Sequence, residues 1–170
     1  VRRGRRDRPC CGTLPLPPAL PRVMTSPFPH HYEVSLELDP GTPAEGSLAT
    51  ANGFPLVVGP PPQFDGRPGH QSPEDLLLGS IAACHMTTFV ALARRKGLPV
   101  RGYRAVATGT LEKTREGLRF TAFGLRVEGA TEPGQEAEMR RLLELAESYC
   151  LVSAALRVEV ALEVVVRTEP

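Results

Sequence analysis

Apolar and polar residues alternate from His31 to Leu38 (HYEVSLEL), the two-residue period of a half-buried strand. Asp39-Pro40-Gly41 turns the chain. Ser47 to Ala51 reads as a second strand, and Asn52-Gly53 is a tight-turn pair. Phe54 to Val58 follows as a third strand, which Pro55 confines to a sheet edge. Gly59 to Gln71 is a long irregular connection, of a length that often carries function.

At Ser72 the pattern changes. The stretch SPEDLLLGSIAACHMTTFVALARRKG begins with an N-cap serine, a proline fit for the first helical position, and two acids against the positive end of the helix dipole. It ends with Arg94, Arg95 and Lys96 at the negative end and Gly97 as the stop. In between it is apolar nearly all round, so this helix expects protein or lipid on most sides. Beyond it, Tyr103 to Glu112 and Leu118 to Glu128 alternate again and form a hairpin across Lys113 to Gly117. Thr131, Glu132 and Pro133 open a second helix. There Ala137, Met139, Leu142, Leu143, Ala146 and Tyr149 make one apolar stripe that runs into Cys150. Arg157 to Arg167 closes the chain as a strand. Strands outnumber helices without alternating with them, which points to the α+β class.

Composition narrows the picture. The chain has 170 residues, enough for one domain or for a subunit that completes its core by dimerising. Its formal charge of +1 gives no electrostatic footprint for nucleic acid. Prolines and a basic start over the first two dozen residues suggest a disordered extension over 1–27, with Met24 as a candidate start, ahead of a single domain at 28–170. Leu76 to Ala93 approaches the length of a membrane span. The polar residues within it and the strands on both sides argue for a core helix instead.

Of four cysteines, Cys84 and Cys150 lie in the body of the chain, too few for a disulfide scaffold and in keeping with a cytoplasmic protein. Cys84 is either a buried filler or a nucleophile. A break at Gly79-Ser80 would place it near the start of a second helix, where the dipole favours thiolate. Cys150 falls where the next helix ends. Glu74 either complements the dipole at its helix start or acts at a distance. In a straight helix it lies ~15 Å from Cys84, so either the helix bends sharply at Gly79-Ser80 or the carboxylate works through an arginine or a neighbouring subunit. A zinc set would draw on Cys84, His85, Cys150 and His70 or His30/His31, but the spacings of common zinc motifs are missing. No GxSxG elbow is present either.

Three segments, SPEDLLLGSIAACHMTTFVALARRKGL, YRAVATGTLE and AESYCLVSAALRVEV, resemble the OsmC/Ohr family of thiol-dependent peroxidases, over about Tyr32 to Val166. The resemblance implies an OsmC-like fold, antiparallel sheets around a long buried central helix, in an intertwined homodimer. It implies a Cys84 thiolate that attacks a hydroperoxide and becomes a sulfenic acid, and a Cys150 that closes a disulfide with it. An external dithiol, of lipoyl type, then reduces that disulfide, and no cofactor or metal is needed. Glu74 would orient an arginine beside the reactive thiol. The organic-hydroperoxide branch carries that arginine in an early hairpin, whereas the matching PGTPAEGSLATANG here has none and Arg67 is the nearest substitute. The alternative within the same fold is a binding protein for hydrophobic small molecules without peroxidase turnover.

Overall fold

The computed structural model describes residues 29–42, 44–50 and 53–169. The expected extension over 1–27 and the turn residue Asn52 lie outside them. The chain divides into a unit ending at Glu33 and a second from Val34 onward. Pro29 to Glu33 has no regular structure, so the first strand begins at Val34 and not at His31.

The second unit has two three-stranded sheets. In the first, β1 (Val34–Leu38), β2 (Gly46–Thr50) and β3 (Leu56–Val58) form an antiparallel meander. A connection containing a 3-10 turn at Pro62–Phe64 leads to α1 (Pro73–Lys96). The second sheet contains β4 (Val100–Thr114), β5 (Gly117–Thr131) and β6 (Val160–Thr168), with α2 (Glu136–Ser148) and the short α3 (Leu151–Ala155) inserted before β6. The α+β architecture around a central helix is as expected. One strand departs from the antiparallel rule: β6 runs parallel to β5. The intervening helices supply the crossover that a parallel pair requires.

Local chemistry fixes the helix ends. The Ser72 hydroxyl accepts from the Asp75 N–H at 3.1 Å, and the Asp75 carboxylate accepts from the Ser72 N–H at 3.0 Å, a complete capping box. At the other end Gly97 takes φ +65°, and the N–H groups of Gly97 and Leu98 satisfy the carbonyls of Arg94 and Ala93. The suspected break at Gly79-Ser80 does not occur. Ser80 donates back to the Leu77 carbonyl at 2.7 Å, and α1 continues unbroken past it. The second helix starts later than Thr131, because that residue ends β5 with its hydroxyl on the Pro99 carbonyl at 2.7 Å. Gly134, at φ +87°, then makes the turn.

The core lies between the second sheet and the two longer helices. Phe123, Leu125 and Val127 point inward at strand period, against Ile81, Phe89 and Ala93 of α1 and Met139, Leu142, Leu143 and Ala146 of α2. Gly129 continues the inward face. A Cβ there would come within 2.9 Å of Leu143 and 3.0 Å of Met139, so its missing side chain lets α2 approach the sheet. On the outer face Arg126 pairs with Glu163 at 3.0 Å and Arg167 with Glu128 at 3.3 Å.

Two expectations about side chains change. Tyr149, just past the end of α2, is 61% exposed, and Ala137 is exposed too, so neither is part of its buried stripe. In α1 only Ile81, His85, Phe89 and Ala93 are buried, a stripe with a spacing of four. The opposite face, with Gly79, Ala83, Met86 and Ala91, is apolar yet left uncovered by the described residues. By length and composition α1 could cross a membrane, but its packing on α2 and β4 makes it the core helix of this fold.

Candidate functional site

The seam between α1 and the end of α2 brings the two body cysteines together. Cys84 sits half-buried at the middle of α1, well beyond the first turn, so the helix dipole acts on it far less than a break at Gly79-Ser80 would allow. Cys150 is buried, 1% exposed, in the joint between α2 and α3. Both are free thiols, and Cys84 is near enough to Cys150 to perturb its titration. Cys150 is also the N-cap of α3: its Sγ accepts the Ser153 N–H at 3.5 Å. Burial pushes the Cys150 thiol above the ordinary cysteine range. Its bonds to Ser153 pull against that shift, and the neighbouring Cys84 adds to it. The buried sulfur is therefore held as thiol, while the half-buried one is the sulfur an oxidant can reach.

His85, next to Cys84, turns the other way, into the core. Its Nε2 lies 3.0 Å from the Leu143 carbonyl, which can only accept, so Nε2 carries the proton. Its Nδ1 then accepts the Tyr103 hydroxyl at 2.8 Å. Burial holds His85 below the ordinary histidine range, against the pull of the Leu143 carbonyl and the Glu147 carboxylate. Tyr103 is pushed well above the tyrosine range, first by burial and then by the negative charge available on Cys150 and Glu147. Phe89 stacks on the Tyr103 ring at 5.6 Å. Glu147, one turn before Cys150, keeps a buried Oε2 without a hydrogen-bond partner among the described residues.

The other expected residues lie elsewhere. Glu74 stands at the start of the unbroken α1, ten residues and ~15 Å of helix before Cys84. Its Oε2 is buried without a hydrogen-bond partner among the described residues, beside a cavity of about 540 Å³ lined by residues that include Leu78, Leu111, Leu118 and Phe120. Arg67 does not serve Glu74: it pairs with the buried Glu45 at 3.3 Å, and His70 lies 3.7 Å from the same carboxylate. The suspected zinc set is not assembled. His85 spends both ring nitrogens on Tyr103 and Leu143, and no group of three potential ligands gathers among the described residues.

Sequence reasoning missed the His85–Tyr103 link, Glu147 and the Glu45 cluster. The first had a signal, since His85 keeps the spacing of four with Ile81 and Phe89 and so belongs to the buried stripe. Glu45 had none, being a single acid among turn residues.

A family model described as OsmC-like protein matches residues 66–165. The uncharacterized protein YmaD of Bacillus subtilis (strain 168) is 27% identical over 129 residues, 74% of this chain and 82% of that protein. An OsmC-like protein of unknown function from Vibrio cholerae superimposes with a TM-score of 0.71 at 17% identity, over 80% of this chain and 99% of the other. An organic hydroperoxide resistance protein OsmC from Legionella pneumophila gives 0.61 at 20% identity, over 81% and 96%. The organic hydroperoxide resistance protein OhrB of Bacillus subtilis gives 0.57 at 17%, over 81% and 98%. At these identities the structural matches establish a common fold.

Proposed function

This chain belongs to the OsmC-like family, and we propose that it is a cysteine-based peroxidase acting on organic hydroperoxides in oxidative-stress defence. The Cys84 thiolate attacks the O–O bond, the alcohol leaves, and Cys84 becomes a sulfenic acid. Cys150 then attacks that sulfur, forming the disulfide and releasing water. An external dithiol of lipoyl type restores both thiols by exchange. One observation supports the reading: two free thiols 66 positions apart in the chain lie at the seam where α1 packs on α2 and α3, one half-buried and one buried.

The remaining parts of the reading have their own support. Glu74 acts as a positioning carboxylate, and its buried oxygen, unpartnered among the described residues, fits a counterpart from beyond them. A homodimer would cover the apolar outer face of α1 and the first sheet, where Leu36 is 61% and Leu38 70% exposed. A reduced thiol pair suits a cytoplasmic location.

Intact mass before and after one equivalent of cumene hydroperoxide tests the proposal. Loss of two hydrogens, with Cys84 mapped to Cys150, is expected. Cys84→Ser should stay unchanged, and Cys150→Ser should gain one oxygen. An unchanged wild-type mass would favour the second reading, a binding protein for hydrophobic small molecules. The cavity beside Glu74, mostly apolar and without an arginine among its lining residues, motivates that alternative.

A further inference from the structure

Cys150 opens a Cys-x-x-Ser segment, Cys150-Leu151-Val152-Ser153, that folds back so that its serine addresses the sulfur. The Ser153 N–H donates to Cys150 Sγ at 3.5 Å, long for an oxygen acceptor but ordinary for the larger sulfur atom. The Ser153 Oγ is buried without a hydrogen-bond partner among the described residues. It is near enough to the sulfur to perturb the Cys150 titration, short of a formed bond. A buried hydroxyl without an acceptor is costly, and a neutral thiol is a weak acceptor. A thiolate is a strong one. A turn about χ1 gives the Ser153 hydroxyl an acceptor that exists only while Cys150 is charged. Burial and Cys84 disfavour the Cys150 anion, and what favours it comes from Ser153, by backbone and by side chain.

An interaction stronger with the charged form than with the neutral one assists the step that creates the charge. Reduction of the Cys84–Cys150 disulfide is such a step. A thiolate of the external dithiol attacks one sulfur, a new S–S bond forms, the old one breaks, and the other cysteine leaves as a thiolate. The second thiolate of the dithiol then displaces the remaining cysteine and closes a cyclic disulfide. The dithiol is oxidised, both cysteines are reduced, and they take up the two protons that the dithiol lost. Cys84 is half-buried and Cys150 is 1% exposed, so attack reaches Cys84 and the charge leaves on Cys150. Burial by itself makes that departure slow, because desolvation penalises the anion.

We propose that Ser153 receives the Cys150 thiolate: its N–H and hydroxyl hold the charge that leaves on that sulfur when the external dithiol attacks Cys84. The proposal rests on the peroxidase reading and names the residue that assists its reductive half. It uses two donors of one residue and draws on no helix terminus, α3 being only five residues long. It also gives a buried hydroxyl a use at a position where alanine would fit the helix equally well.

The test times reduction separately from oxidation. Wild-type protein, Ser153→Ala and Ser153→Thr are oxidised with one equivalent of cumene hydroperoxide and then mixed with dithiothreitol. The remaining Cys84–Cys150 disulfide is followed by peptide mapping after acid quench. Ser153→Ala keeps the backbone N–H and loses the hydroxyl, so disulfide opening should slow about 10-fold, the scale of one hydrogen bond to a charged group. Ser153→Thr should restore the rate, and consumption of the Cys84 thiol by peroxide should be the same in all three. In a Cys84→Ser background, site-mapped alkylation of Cys150 should reach half its maximum about one pH unit higher once Ser153→Ala is added. With glutathione in place of the dithiol, the wild-type mixed disulfide should map to Cys84. A wild-type opening rate in Ser153→Ala, an unshifted Cys150 profile or a mixed disulfide on Cys150 would each overturn the proposal. Equal slowing of oxidation and reduction, or no rescue by Ser153→Thr, would overturn it too, as the mark of a packing role. If the wild type forms no disulfide, the peroxidase reading falls and the proposal with it. A protein that cycles normally in Ser153→Ala sinks the serine alone.

Discussion

His85 should make the folded state sensitive to acid, and the size of the effect can be worked from its surroundings. The ring is fully buried, its two nitrogens are spent on Tyr103 and Leu143, and burial lowers its pKa from 6.5. In the unfolded chain the same imidazole titrates near its ordinary value. Below that value the unfolded state binds a proton that the folded state refuses, so stability is fully present above pH ~6.5 and falls as pH drops beneath it. The limiting slope is about 1.4 kcal/mol per pH unit. Between about pH 7.5 and 5.5 the loss due to this one group reaches at most ~1.4 kcal/mol, less if the folded-state value lies inside that window. Urea unfolding of wild type and His85→Gln at fixed ionic strength measures it. Both proteins share every other titrating group, so the difference between their pH profiles isolates His85. The variant should be less stable at neutral pH by ~1–3 kcal/mol, because Tyr103 and the Leu143 carbonyl lose a well-placed partner. Its stability should also decline less towards acid. Parallel profiles would refute the reasoning, since a neutral buried imidazole cannot be silent in that range.

Other outcomes follow from the packing. Phe89→Ala removes a fully buried ring stacked on Tyr103 and should cost ~3–5 kcal/mol, read from the denaturant midpoint at unchanged slope. Gly129→Ala puts a methyl 2.9 Å from the Leu143 side chain and should cost ~1–3 kcal/mol as α2 is pushed off the sheet, visible as a lower melting temperature. Closing the Cys84–Cys150 bond ties off 66 residues of chain and should stabilise the oxidised protein by at most ~4 kcal/mol over the reduced one, measured as a shift in urea midpoint. Oxidised protein no more stable than reduced would mean that forming the bond distorts the seam.

What could be read in the chain was whatever local chemistry decides. Ser72, Pro73, Asp75 and Gly97 bound α1 because capping needs nothing beyond a few neighbouring residues. The hairpin of β4 and β5 was legible from alternation alone, although pairing extends to Thr114 and Gly117 and shortens the turn. The start of α2 was misread for a tertiary reason. Thr131 offers its hydroxyl to Pro99, a residue remote in sequence, and so is not available as a cap. The parallel course of β6 and the short α3 likewise depend on where the crossover helices land, which no window of sequence contains.

The site divides along the same line. Cys84 and Cys150 could be named as partners only by resemblance, since nothing within reach of either residue in the chain announces the other. Their meeting is a product of the packing of α1 on α2 and α3. Chemistry expected from local sequence went astray at the same place: Gly79-Ser80 has the composition of a kink, yet Ser80 bonds back to Leu77 and the stripe Ile81, His85, Phe89 and Ala93 holds the helix against the core. Thiolate character at Cys84 therefore cannot be borrowed from a second helix terminus. In the proposed mechanism it would come from groups brought to the half-buried face of α1. Glu74, with its buried and unpartnered oxygen, marks the end of the same helix where such a group would have to be anchored. If the opposing cation is supplied by a second copy of the chain, the uncovered apolar face of α1 and the incomplete charge pairing at Glu74 have one physical cause.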